Sequence, residues 1–274
     1  MSAPAPPRNS KFPVRLSEVN APARKARALL RPQQWVASAH SDLTRRATPK
    51  GPGVGMDSDD VRARMVLRLR AAGVVHEAVL SAMARVPRHV FVDTALVTQA
   101  YEDTSLPIGH GQTISKPSVV ARMIELLCGG VNANRNGQLG RVLEIGTGCG
   151  YQAAVLASLA LQVVSVERLK ALHDKARELL SPMRPAHLRL VYGDGMLGHP
   201  PNAPYDSIIA AAGGDVVPQA WLDQLAVGGR LVSPVRRAGT QQQVLVVVDH
   251  TAGGFKHLVF EAVHFVPLKS GMVA

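Results

Sequence analysis

From Arg141 onward the apolar positions change period in a regular way. Short apolar runs at Val142–Ile145, Val163–Val166, Leu188–Tyr192, Asp206–Ala212 and Arg230–Val235 have the length of buried strands. The segments between them, Tyr151–Ala160, Leu169–Leu180 and Pro218–Leu225, are longer or amphipathic and predict helices. Such alternation implies a parallel sheet covered on both faces. Two further runs, Val244–Val248 and Leu258–Val266, flank Gly253-Gly254 and predict an antiparallel hairpin. The expected fold class is therefore α/β, a doubly wound and mostly parallel sheet closed by a C-terminal antiparallel hairpin.

N-terminal helices precede this sheet. Ser58-Asp59-Asp60 supplies N-cap chemistry, and Val61, Met65, Val66 and Leu69 then share one helical face. A second amphipathic helix carries Val75, Val79, Leu80 and Met83 and stops before Pro87, because a residue preceding proline is disfavoured in helix. Residues 101–116 read as a loop broken by Pro107, Gly109 and Gly111. Pro117 suits a first helical position, with Val120, Met123, Ile124 and Leu127 facing inward. The expected organisation is an extension over residues 1–55 and one unit over 56–274. Within that unit, helices and a substrate loop fill 56–140 and the cofactor-binding sheet fills 141–274.

Composition changes this picture mainly at the N-terminus. The formal net charge is +11, but residues 1–55 carry ten Lys/Arg against two Asp/Glu, so the rest carries only +3. The same 55 residues hold eight of the nineteen prolines and no sustained periodicity. They are expected to be disordered, either as a solvated extension upstream of a start at Met56 or as a basic tether to an acidic partner. The charge is thus a weak argument for a nucleic-acid partner. No run of about eighteen apolar residues predicts a membrane span, and no secretory signal is apparent. Cys128 and Cys149 match no zinc or redox spacing. A cytoplasmic protein without a metal site is expected.

The strongest local chemistry lies in Val142-Leu143-Glu144-Ile145-Gly146-Thr147-Gly148-Cys149-Gly150-Tyr151, where a buried strand runs through a glycine-rich turn into a helix. In open α/β sheets this turn borders the ligand crevice. Dinucleotide sites use G-x-G-x-x-G. Here Gly146, Gly148 and Gly150 give G-x-G-x-G, and Glu144 on the strand would repel a pyrophosphate. A ligand bearing an amino group and a sulfonium suits it better, and the turn resembles motif I of class I methyltransferases. Glu167 ends the second strand, where an acid can accept from both ribose hydroxyls. After the third strand, Asp194 can accept from an adenine amino group while Gly195 admits the flat ring. Each has a plainer alternative: a packing turn, a solvated strand-end acid, an Asp-Gly turn. Three acids on three successive strands favour the ligand.

Upstream, Gly109-His110-Gly111-Gln112-Thr113-Ile114-Ser115-Lys116-Pro117 completes a wider pattern. Together with the glycine turn, Ser165-Val166-Glu167-Arg168, Gly193-Asp194-Gly195, Ala203-Pro204-Tyr205-Asp206, Gly228-Gly229-Arg230-Leu231-Val232 and Phe265-Val266-Pro267-Leu268, it resembles the protein-L-isoaspartate O-methyltransferases from about Arg62 to the C-terminus. The resemblance implies S-adenosyl-L-methionine as cofactor and isoaspartyl residues of damaged proteins and peptides as acceptors. It implies Ser115 as the catalytic serine, with Thr113, Glu144, Gly146, Gly148, Gly150, Glu167, Asp194 and Gly195 at the cofactor. A carboxylate is already ionised at neutral pH and needs no base. Ser115 would orient it, helped by the dipole of the helix that begins at Pro117. The methyl ester formed is expected to collapse to a succinimide, whose hydrolysis returns some normal linkage. A monomer is expected. Departures from the family pattern are Lys116, Met196 and His199, Gly213-Gly214, and Arg236-Arg237.

Two other functions compete. A nucleic-acid methyltransferase would explain the basic charge, but Ile208-Ile209-Ala210-Ala211-Ala212-Gly213 lacks the Asn/Asp-Pro-Pro-Tyr/Phe group of amino methylation. The cysteines sit in the cofactor turn and at a helix end. A non-catalytic module on the same fold would not need Glu144, Glu167, Asp194 and Ser115 together.

Overall fold

The computed structural model describes residues 59–183, 185 and 187–274. The extension over 1–55 and the Ser58 cap lie outside the described residues. Among those described, α1 (Asp59–Ala71) and α2 (Glu77–Arg85) form the expected first pair. Met65, Leu69, Val79, Leu80 and Met83 are buried. Val86 is extended, at φ −81° and ψ 117°, as the residue before Pro87 should be. Val75 departs from expectation and is 74% exposed. It precedes α2 rather than lying on its face, and its N–H is tied to the Glu125 carboxylate at 2.7 Å.

The segment expected to be a loop instead contains a small hairpin, β1 (Leu106–Gly109) paired with β2 (Gln112–Ile114). The glycines act as turn residues rather than as breakers. Gly109, His110 and Gly111 all have positive φ, at 96°, 54° and 67°, and reverse the chain within the space of the pair. Leu106, Ile108 and Ile114 are buried. Pro117 opens α3 (Pro117–Cys128), and a short α4 (Val131–Asn136), absent from the apolar pattern, leads to the sheet.

The main sheet holds β3 (Arg141–Ile145), β4 (Gln162–Glu167), β5 (Leu188–Tyr192), β6 (Tyr205–Ala210), β7 (Leu225–Arg236), β8 (Gln243–Thr251) and β9 (Gly254–Val263). Their order is β5-β4-β3-β6-β7-β8-β9. β3 to β7 pair in parallel, and β7-β8-β9 are antiparallel, which is the doubly wound sheet with a terminal hairpin. The intervening helices are α5 (Tyr151–Ala157), α6 (Lys170–Leu180) and α7 (Gln219–Asp223), each shorter than its apolar run.

Strand periodicity divides the core. Val142, Val163, Ile209, Val232 and Val247 join one apolar cluster with α1, α2, α3 and α5. Their neighbours Leu143, Val164, Ile208, Leu231 and Val248 join the other, around Trp221 and Leu222. Successive side chains point to opposite faces, and each buried Val, Leu or Ile contributes roughly 1.5–3 kcal/mol. Because β3 has β4 on one side and β6 on the other, the chain reverses its winding there. The carboxyl ends of β3, β4 and β6 diverge into a crevice.

Candidate functional site

The crevice is lined from four directions: by the β2 loop with Thr113 and Ser115, by the turn after β3, by Glu167 at the end of β4, and by Val266–Lys269 near the C-terminus. The turn owes its shape to backbone conformation. Gly146, Gly148 and Gly150 have φ of 89°, 56° and 92°, values that side-chain-bearing residues rarely adopt. Gly146 and Gly148 line the crevice. Gly150 faces away from it, and a Cβ there would meet Leu180 Cδ1 of α6 at 2.8 Å, so its space requirement is helix packing.

Glu167 is 5% exposed and ties the crevice together. Its Oε2 accepts from the Gly148 N–H and its Oε1 from the Leu169 N–H, both at 2.9 Å. Each oxygen retains accepting capacity, as hydroxyl donors of a ribose require. Gly195 also lines the crevice, and its carbonyl is held by the Trp221 indole N–H at 2.8 Å. A Cβ on Gly195 would meet Ile145 Cγ2 at 2.6 Å. Gly195→Ala should therefore cost about 1–3 kcal/mol of folding stability through overpacking, measured as a lower denaturant midpoint. An unchanged midpoint would mean that the β3 end yields freely.

Asp194, expected as the adenine acceptor, also serves the protein's own backbone. Its Oδ1 accepts from the Met196 N–H at 2.9 Å and its Oδ2 from the Gly271 N–H at 2.6 Å, and the side chain does not line the crevice. It holds the C-terminal segment, which also pairs with the start of α6 through Leu169 and Val273. That segment supplies four crevice residues. The Phe265-Val266-Pro267-Leu268 pattern was visible in the sequence, but nothing local showed that it returns to the crevice.

Glu144 lies behind the turn, fully buried. Ser165 Oγ donates to its Oε2 at 2.5 Å, and Thr147 Oγ1 is 2.6 Å from Ser165 Oγ. Glu144 Oε1 and Gln152 Nε2 have no hydrogen-bond partner, and Gln152 lines the crevice. The Glu144 carboxyl is held up at about 8, chiefly by burial. Ser165 and the Gln152 amide, which faces it without closing a bond, pull it part of the way back, and the Glu167 charge adds to the rise. A folded-state pKa above the ordinary value near 4.5 has a definite sign. The carboxyl's contribution to stability is full below about pH 4.5 and is lost as pH rises towards about 8. Glu144→Gln keeps the shape without the titration. The melting temperature of the native protein should fall relative to that of this variant between about pH 5 and 8. Parallel curves would show that Glu144 ionises normally.

Ser115 is half-buried and Thr113 exposed on the crevice rim. The Ser115 carbonyl accepts from Arg88 Nη2 at 2.7 Å. The first turn of α3 is already occupied, because Asp103 accepts from the Ser118 N–H at 2.9 Å and from its hydroxyl at 2.8 Å. The helix dipole expected to receive an anionic substrate is thus partly met by the protein itself. Both cysteines are free and buried, with thiols pushed up to about 11 by burial. Neither is a ready nucleophile.

These residues fit S-adenosyl-L-methionine. An acceptor carboxylate stands where hydroxyl donors are expected, and Gly146 and Gly148 present no side chain where a ligand must approach. A doubly wound sheet whose switch point opens onto this shorter glycine turn is the architecture of class I methyltransferases. Known proteins narrow the class. Residues 60–273 match the protein-L-isoaspartate(D-aspartate) O-methyltransferase family, and the chain belongs to it. The protein-L-isoaspartate O-methyltransferase of Leptothrix cholodnii is 59% identical, over 99% of this chain and 98% of that one. A solved protein-L-isoaspartate O-methyltransferase shares 27% identity and a TM-score of 0.68, covering 77% of this chain and 67% of that one. A Plasmodium falciparum structure in complex with S-adenosyl-L-homocysteine has the same fold at 23% identity, with a TM-score of 0.65 over 76% of this chain and 98% of that one.

Proposed function

We infer that this chain transfers a methyl group from S-adenosyl-L-methionine to the free carboxylate of L-isoaspartyl residues in damaged proteins and peptides, and so initiates their repair. One observation carries this inference furthest: the Thr113–Ser115 loop and the glycine turn with Glu167 line one crevice, in a chain that belongs to the isoaspartyl methyltransferase family.

S-adenosyl-L-methionine, when bound, supplies an electrophilic methyl group on a sulfonium. The protein's part is alignment. Glu167 holds the ribose hydroxyls, Gly146 and Gly148 let the ligand approach the backbone, and Gly195 leaves room for a flat ring. The Ser115 hydroxyl donates to one carboxylate oxygen and leaves the other free to attack. A single neutral hydrogen bond orients the anion without quenching it, and alignment alone can be worth effective molarities of roughly 10⁵ M or more.

In this account the enzyme is a cytoplasmic monomer, its acceptors are proteins and peptides rather than nucleic acids, and residues 1–55 are an appendage to a catalytic unit spanning 56–274. No helix among the described residues is long and apolar enough to cross a membrane. The test is transfer of labelled methyl to three acceptors: an isoaspartyl peptide, its aspartyl twin and bulk RNA. Label should enter the first alone. Label in RNA, or equal label in both peptides, would overturn the inference.

A further inference from the structure

Arg88 is the only fully buried arginine or lysine among the described residues. It lies behind the crevice wall, not in it. Its Nε donates to the Ala100 carbonyl and its Nη2 to the Ser115 carbonyl, both at 2.7 Å, with a longer contact to the Thr104 carbonyl at 3.5 Å. Its guanidinium carbon stands 4.8 Å from the centre of the Tyr151 ring, which itself lines the crevice. Nη1 has no hydrogen-bond partner. The groups that meet this cation are neutral: three carbonyls and the Tyr151 phenol.

That arrangement is unusual on energetic grounds. A buried charge is costly unless it is paired, and a guanidinium stays protonated at neutral pH. Asp103 is the one carboxylate whose charge reaches it, and Asp103 is committed to Ser118 at the start of α3. Of the other cations near the crevice, Lys116 and Lys269 are exposed, where solvent and salt screen them, and Arg168, half-buried on the crevice wall, is turned to the Gly271 and Ser270 carbonyls of the C-terminal segment. A largely uncompensated positive charge therefore sits beneath Ser115. It also polarises the Ser115–Lys116 peptide through the carbonyl that it binds.

We propose that Arg88 is a positioning residue that makes the crevice selective for a charged acceptor: from behind Ser115 it supplies the buried positive field that the substrate's carboxylate completes. The proposal rests on the acceptor assigned above. Indirect contact suits the chemistry. A guanidinium bonded directly to the carboxylate would hold the electron pair needed for attack, whereas a charge one layer back attracts the anion and leaves its oxygens free.

The experiment uses the full-length protein saturated with S-adenosyl-L-homocysteine, so that no transfer occurs. Affinities are measured for an isoaspartyl peptide and for its isoasparaginyl twin, which carries a neutral carboxamide at the same place. Their ratio reports charge selection and is insensitive to damage that weakens both alike. In R88Q the ratio should fall roughly tenfold, the size of one charge–charge interaction across a partly buried wall. R88K keeps the charge without the planar fork. It should keep most of the ratio and, in a separate assay with S-adenosyl-L-methionine, lose several-fold in turnover, because the fork that bonds the Ala100 and Ser115 carbonyls together is gone. An unchanged ratio in an R88Q protein that still binds S-adenosyl-L-homocysteine would overturn the proposal. So would an R88K ratio that collapses, whether or not R88Q folds. Methyl transfer by the unaltered protein reports on the acceptor assignment separately, so the two ideas fail independently.

Discussion

Ser115→Ala lowers the turnover of an isoaspartyl peptide about ten- to a hundredfold, the range in which a misaligned reactant loses rate, and leaves cofactor affinity nearly unchanged. The separation follows from where the serine sits. Its carbonyl is fixed by Arg88 at 2.7 Å, and β2 and α3 hold the residues on either side. The backbone should therefore survive loss of the hydroxyl, because only a half-buried oxygen is removed. Glu167 and the glycine turn lie on other elements of the crevice and keep their own bonds. Single-turnover kinetics with saturating cofactor, beside calorimetry with S-adenosyl-L-homocysteine, read the two quantities. A folded variant with normal turnover would remove Ser115 from the mechanism. Equal losses in turnover and cofactor affinity would make it a structural residue.

Glu167→Ala acts on the other half of the site. It should weaken binding of S-adenosyl-L-homocysteine by roughly 1.5–3 kcal/mol, the range for losing a charged hydrogen-bond partner. The carboxylate also accepts the Gly148 and Leu169 N–H groups, and the variant strands both donors in a buried region. Glu167→Gln separates these roles. One amide oxygen can still serve one N–H, while the negative charge facing the ribose is lost. The Gln variant leaves one N–H facing an amide donor, so it should be more stable than the Ala variant and less stable than the native protein, and still bind the ligand less tightly. Native affinity in both variants would place the ligand elsewhere in the crevice.

What the sequence made legible was local. The strand and helix alternation after Arg141, the G-x-G-x-G turn and the acid ending β4 are all short-range patterns, and each appears where its spacing put it. What remained hidden depends on contacts between distant segments. The hold of Asp194 on the C-terminal segment was not legible, because its partner there, Gly271, is 77 residues away. Glu144 lies on a strand buried on both faces, so its side chain turns into the protein towards Ser165. The β1-β2 hairpin was obscured because glycines mark breaks and tight reversals alike. Arg88 follows Pro87 in a short 3₁₀ segment, outside any apolar repeat, and an arginine there ordinarily reads as surface. Only its complete burial shows that it braces the substrate loop.

The central claim is that the acceptor is the displaced carboxylate of an isoaspartyl linkage, and the fate of the product tests it most directly. A synthetic isoaspartyl peptide is incubated with the protein and S-adenosyl-L-methionine, and followed over time by chromatography and mass spectrometry. A methyl ester should appear first, then a succinimide with loss of methanol, then the normal aspartyl peptide beside returned isoaspartyl peptide that is methylated again. Repeated cycles should convert most of the sample to the aspartyl form. A methylated peptide that persists without passing through a succinimide, or the same product from the aspartyl twin, would contradict the account.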